Sequence, residues 1–158
     1  MKNKTSLTLV EILVSVFILA IIVLSVTSLL YLGDLNWRRG SILLELQQKA
    51  RLAMDRMSRE LRQAQSSSIN ITNGGKNISF SIPDLSGGTY DITYYLDTNS
   101  NQIIREYPEG TTKILGNNVS SLDFSLSGDT LTITLQISKS LRQTPLSFVL
   151  KEKIKLRN

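Results

Sequence analysis

The chain has 158 residues, 41% of them hydrophobic, a formal net charge of +5, no Cys and no His. That length fits one modest domain. The absences exclude a disulfide framework, a zinc ribbon, a thiol nucleophile, an imidazole base and a Ser-His-Asp triad. A mean hydropathy of -0.01 conceals a division, because Leu7–Leu32 holds 20 apolar residues in 26 while the remainder is polar.

In chain order, Lys2 and Lys4 come first, then Glu11, then 22 residues from Ile12 to Gly33 without a formal charge. Such a run meets the length criterion for a membrane-spanning helix. It is too long for the apolar core of a secretory signal, about 7–15 residues, and Ser25-Val-Thr27 is a poor cleavage site. Glu11 is the anomaly, since an acid costs about 2.5–3.5 kcal/mol at the bilayer centre and less near the interface. Either it leans toward the headgroups or it has a cationic partner within the membrane. Lys2 and Lys4 on one side are nearly balanced by Arg38, Arg39 and Lys49 on the other, so charge bias does not set the orientation.

Beyond Gly33 no proline interrupts the chain before Pro83, and the helix is expected to continue to about Gln65. Ile42/Leu43, Leu46, Ala50, Ala53/Met54, Met57, Leu61 and Ala64 step by three or four and form one amphipathic stripe. Packing against a sheet is its expected role. Gly33 and Gly40 are the soft points, each weakening a helix interior by about 1 kcal/mol relative to Ala.

After Ser66-Ser-Ser the period changes to two. Ile78, Phe80 and Ile82 alternate with polar residues, as do Tyr90, Ile92, Tyr94 and Leu96; Gln102–Tyr107, Thr112–Leu115, Val119–Leu126, Leu131–Ile137 and Leu146–Leu156 follow. Turn chemistry such as Gly74-Gly75, Gly87-Gly88 and Ser127-Gly-Asp129 separates them. Six or seven strands in an antiparallel sheet are expected, one face lying on the helical stripe. Tyr94 and Tyr95, as strand neighbours, should face opposite ways. Lys151, Lys153, Lys155 and Arg157 fall on one face of the last strand, opposite Phe148, Leu150, Ile154 and Leu156. A solvated strand face that discourages edge pairing accounts for them. The fold class is therefore α+β, organised as residues 1–6, an apolar helix over 7–33, its amphipathic extension over 34–65 and a β domain over 66–158.

Chemical sites are few. Asp97, Asn99 and Asn101 space oxygen ligands as the start of a calcium loop does, but an EF-hand then needs Gly where Gln102 stands and an acid where Pro108 stands. A hairpin turn is the preferred reading of these residues, which are the metal candidates of the chain. No catalytic constellation or cofactor motif is visible, so an enzyme is not expected. No basic patch with interleaved aromatics suggests nucleic acid.

The stretch Lys4-Thr-Ser-Leu7-Thr8-Leu9-Val10-Glu11 followed by an apolar run resembles the N-terminus of type IV pilins and pseudopilins. In that family a short basic leader is followed by a hydrophobic residue, Thr-Leu-Ile-Glu and a hydrophobic helix. Ala53–Ala64 resembles the same region of J-type pseudopilins and PilW-type minor pilins, so the likeness covers about residues 4–65. It implies cleavage between Ser6 and Leu7 by a membrane-embedded prepilin peptidase, removal of Met1–Ser6, and methylation of the new Leu7 amine. It also implies a cytoplasmic N-terminus and a periplasmic or extracellular β domain. The new ammonium at Leu7 would lie four residues before Glu11, on the same helix face. In a filament Glu11 would pair with the Leu7 amine of a neighbouring subunit, so Leu7 and Glu11 become assembly residues. Other pilin or pseudopilin subunits, an inner-membrane assembly platform and membrane lipid are the implied partners. Ser6 stands where the family carries Gly. Ser28 stands where many major pilins carry a kinking proline, which points to a minor or accessory subunit. The alternative from another class is a single-pass membrane protein with an external β-rich ligand-binding or sensory domain.

Overall fold

The computed structural model of the chain describes residues 8–84, 87–141 and 144–156. Their elements are one helix, α1 (Leu9–Leu61), and eight strands: β1 (Asn70–Thr72), β2 (Asn77–Pro83), β3 (Thr89–Asp97), β4 (Gln102–Glu106), β5 (Thr112–Asn117), β6 (Val119–Ser127), β7 (Thr130–Leu141) and β8 (Thr144–Lys155). The fold is α+β, as the patterning requires. Two compact units meet at Gly40, Met1–Gly40 and Ser41–Asn158.

In the first unit, α1 is helical through Gly33, and the softening expected at Gly33 and Gly40 does not interrupt the hydrogen-bonded ladder. Among the described residues, the large apolar side chains from Leu9 to Leu32 are exposed. Leu9 is 81% exposed, Phe17 65% and Leu29 69%. The most apolar window of 18 residues has a mean hydropathy of 3.0, so the helix is long and apolar enough to cross a membrane.

In the second unit the helical stripe does what its period requires. Leu46, Ala50, Ala53, Met54, Met57 and Leu61 are buried on the face toward the strands, each of the larger side chains contributing about 1.5–3 kcal/mol by leaving water. Leu44 and Leu52, off the stripe, stay exposed. The helix ends at Leu61, four residues short of Gln65, because Gln63 and Ala64 donate to the carbonyls three residues back and the chain tightens out of the α ladder. Ala64 remains buried after that turn.

Two sheets, not one, meet this helix. The first has order β1-β2-β3-β4-β5 and the second β6-β7-β8, with every neighbouring pair antiparallel and consecutive in sequence. Only Asn118 lies between β5 and β6. Its φ of 62° and the irregular pairing between Val119 and Ser121 turn the chain out of the first sheet. The Val119 N–H still donates to the Asn101 carbonyl at 2.9 Å, and Ser138 N–H donates to the Asn118 carbonyl at 2.8 Å. A single sheet is thus corrected to two, and the strand number to eight. The added strand is β1, whose Asn-Ile-Thr sequence has one apolar residue and no period to detect.

Alternation is faithful elsewhere. On β2, Ile78, Phe80 and Ile82 are buried; on β3, Ile92 and Tyr94; on β7, Leu131, Ile133, Leu135 and Ile137. Tyr94 is fully buried and Tyr95 half-buried on the opposite face. On β8 the exposed Lys151, Lys153 and Lys155 alternate with Leu150, Ile154 and Leu156, which face the core. Arg157 lies outside the described residues.

Candidate functional site

The helix start is the first candidate. Thr8 has left the helical conformation while its carbonyl accepts from the Ile12 N–H at 3.2 Å, which makes it the N-cap. Its backbone N–H and its hydroxyl both donate to Glu11 Oε2, at 2.8 and 3.0 Å, and the Glu11 N–H donates back to Thr8 Oγ1 at 3.3 Å. This reciprocal pattern is a capping box, satisfying helix-start donors that have no partner within the ladder. Glu11 therefore sits in the first turn, exposed, with one carboxylate oxygen engaged by Thr8. Ser6 and Leu7 lie outside the described residues.

Behind Glu11 the apolar helix handles its own polar atoms. Ser15, Ser25 and Ser28 hydroxyls donate to carbonyls four residues back, and Thr27 donates to one three residues back, all between 2.7 and 2.9 Å. No hydroxyl of these four is left to seek water, which suits a segment surrounded by hydrocarbon. What remains at the surface of Ile12–Leu32 is apolar side chain, with the carboxylate at its head.

A second cluster joins the other end of α1 to the first sheet. Tyr94 Oη donates to Glu60 Oε2 at 2.5 Å, and Arg105 Nε donates to both Glu60 oxygens at 3.2 and 3.0 Å. Burial first, and the Glu60 carboxylate second, push the Tyr94 hydroxyl well above its ordinary range. Burial alone would lower the Arg105 guanidinium, but Glu60 outweighs it and holds the group charged. Arg105 also lies over the Tyr107 ring, 5.3 Å from its centroid, and Tyr107 packs against Tyr90 at 4.8 Å. This triad anchors helix to sheet.

Nearer the start of the second unit, Glu45 accepts from Lys49 Nζ at 2.6 Å and from Lys139 Nζ at 3.1 Å. Those two ammonium groups, Lys49 foremost, hold its carboxyl below the usual carboxylate range. The bridge ties α1 to β7.

Asp97, Asn99 and Asn101 form the β3–β4 connection. Asp97 Oδ1 accepts from the Asn99 N–H at 3.0 Å and Oδ2 from the Ser100 hydroxyl at 2.6 Å. Those bonds, that of Ser100 first, lower the Asp97 carboxyl from its ordinary value. Asn101 takes a φ of 54°. Both carboxylate oxygens are thus engaged in shaping a turn, the arrangement that Asp and Asn favour there. Among the described residues no group of three or more acidic side chains is placed to hold a metal ion.

Two features were not read from the sequence beforehand. The capping box had a signal, since Thr8 and Glu11 stand three apart immediately before an apolar run. The Glu60–Tyr94–Arg105 triad had none, because its partners lie 34 and 45 residues from Glu60. No family model, curated protein or solved structure matches this chain.

Proposed function

We propose that the chain is a structural subunit of a type IV filament system, a minor pilin or pseudopilin stored in the membrane and then built into a helical assembly through its N-terminal helix. The observation that carries this reading is the Leu9–Leu32 surface, apolar and exposed among the described residues, headed by a single acid in its first turn. An uncovered apolar surface of that extent needs a partner phase. Lipid supplies one before assembly, and the helices of neighbouring subunits supply the other afterwards. In this reading prepilin peptidase cuts between Ser6 and Leu7 and methylates the new amine. Glu11 then pairs with the Leu7 ammonium of a neighbour, and a misregistered subunit is rejected because its carboxylate is left buried and unpaired. The second unit stays outside the membrane as the exposed face of the filament.

The capping box favours a second reading, a single-pass membrane protein with an external β-rich ligand-binding or sensory domain. Thr8 gives Glu11 a local partner, so the acid has a use without any assembly. The two readings separate by intact mass of the protein from its native membrane. A filament subunit has lost Met1–Ser6 and gained one methyl at Leu7. A full-length, unmethylated chain in a host with active prepilin peptidase overturns the filament reading.

A further inference from the structure

Between the last turns of α1 and the β4–β5 pair lies an open cleft of about 390 Å³, lined by Arg56, Arg59, Glu60, Arg105, Lys113 and Leu115. Four of these six side chains are cationic. Glu60 is committed to Arg105 and Tyr94, and Arg59 is answered by Asp55 beside the cleft at 2.6 Å. Arg56 and Lys113, both exposed, have no acidic partner among the described residues. Arg105 and Lys113 are moreover directly opposite each other in the β4–β5 register. Like charges facing across a strand pair are destabilising, so this is not the arrangement that stability alone would select. Elsewhere on α1, Arg38, Lys49 and Arg59 each have an acid four residues earlier. Arg39 and Arg51 on α1 also lack an acid four residues earlier, so it is the opposition of Arg105 and Lys113 across the ladder that marks a place where something other than the fold is being served.

We propose that this cleft binds a phosphate group, presented either by a soluble phosphate compound or by a lipid headgroup. With Glu60 and Asp55 answering two of the four cations, the excess of two positive charges resides on Arg56 and Lys113. A phosphate dianion balances it, whereas a lone carboxylate neutralises half. The guanidinium fork of Arg56 matches two phosphate oxygens at once, and the Lys113 ammonium acts as a point charge on the third. Glu60 engages Arg105 through its Nε, and the guanidinium of Arg105 adds its charge to the cleft lining. Leu115 forms the apolar edge. This proposal does not depend on the filament reading.

The test uses the full-length chain in non-ionic detergent micelles, titrated calorimetrically with inorganic pyrophosphate at low salt. A parallel arm dopes the micelles with phosphatidic acid, whose phosphomonoester headgroup reaches two negative charges, and follows its displacement by pyrophosphate. Saturable one-to-one binding is expected, weakened about tenfold by Lys113→Gln and more by the Arg56→Gln/Lys113→Gln double variant. Both positions are exposed and Lys113→Gln relieves the like-charge opposition to Arg105, so the variants should melt at or slightly above the parent temperature. Lys151→Gln, which removes a cation of the exposed β8 face, should change affinity less than twofold. Binding by pyrophosphate, or by the phosphatidic acid headgroup when pyrophosphate fails to displace it, supports the cleft and identifies the source. Absence of saturable binding in both arms overturns the proposal, as does an equal loss in Lys151→Gln and Lys113→Gln.

Discussion

The two parts of α1 are one hydrogen-bonded helix with opposite relations to the rest of the chain. From Leu46 to Leu61 its apolar residues form a narrow stripe and are buried against two sheets. From Leu9 to Leu32 they cover the whole circumference and stay exposed among the described residues. A stripe can be satisfied by one neighbour, whereas a helix apolar all round needs a surrounding medium. The buried core of the described residues draws on α1 from Leu46 onward and not on its first part. That first part is long and apolar enough to cross a membrane.

The largest expected effect breaks the buried half. Met57→Asp places an unpaired charge at a fully buried position and should abolish cooperative unfolding of the β domain, since burying an uncompensated charge is among the costliest single changes. Ile22→Asp, in the exposed half, should leave the urea transition of the β domain in detergent unchanged. A loss of that transition in both variants would show that the two parts of the helix stabilise the fold together.

A middle effect tests the helix-to-sheet anchor. Glu60→Gln leaves Arg105, whose side chain is 17% exposed, without its carboxylate. It should cost about 1.5–3 kcal/mol in the same urea transition, the range for hydrogen bonds to charged groups. The anchor also fixes the alkaline response. The Tyr94 hydroxyl is raised in the fold, while an unfolded tyrosine titrates near pH 10. Its contribution is therefore whole below about pH 10 and is lost as pH rises above that. Unfolding midpoints should fall as pH rises from about 10 to 12, and Tyr94→Phe should flatten that slope. An equal slope in the variant would assign the alkaline response to another group.

The smallest effect concerns the helix start. Thr8→Ala removes the N-cap and should loosen the first turn by about 1 kcal/mol, seen as faster amide exchange at Ile12, with membrane insertion intact. Glu11→Ala should do the same to the turn and, in the filament reading, additionally reduce incorporation of the subunit into filaments. Equal incorporation by Thr8→Ala and Glu11→Ala would reduce Glu11 to a capping residue and favour the single-pass anchor.

How far such contrasts were legible in the sequence depended on the range of the interaction. Ala50, Ala53, Met57 and Leu61 announce a buried face by spacing alone, and β2, β3 and β7 announce themselves by alternation. β1 could not be found that way, with three residues and only Ile71 apolar. The end of α1 at Leu61 was hidden because the next residues carry no proline or glycine to stop a helix, and the tightening at Gln63 and Ala64 is a matter of backbone geometry. The division into two sheets turns on the positive φ of Asn118, a conformation that Asn permits but does not compel. At the N-terminus, Thr8 and Glu11 were visible as residues, and their reciprocal bonding was readable from the interval between them.

By itself the sequence determined the long helix, the place where its character changes, the alternating strands and the absence of thiol and imidazole chemistry. Those follow from local periodicity and composition, which act over a few residues at a time. Only the tertiary structure decided that Glu60 would meet Tyr94 and Arg105, and that Arg56 and Lys113 would share a cleft with them. Those meetings depend on how strands far apart in the chain are ordered beside the helix. Charge opposite charge, or like beside like, is settled by that order and by register, neither of which any single stretch of the sequence contains.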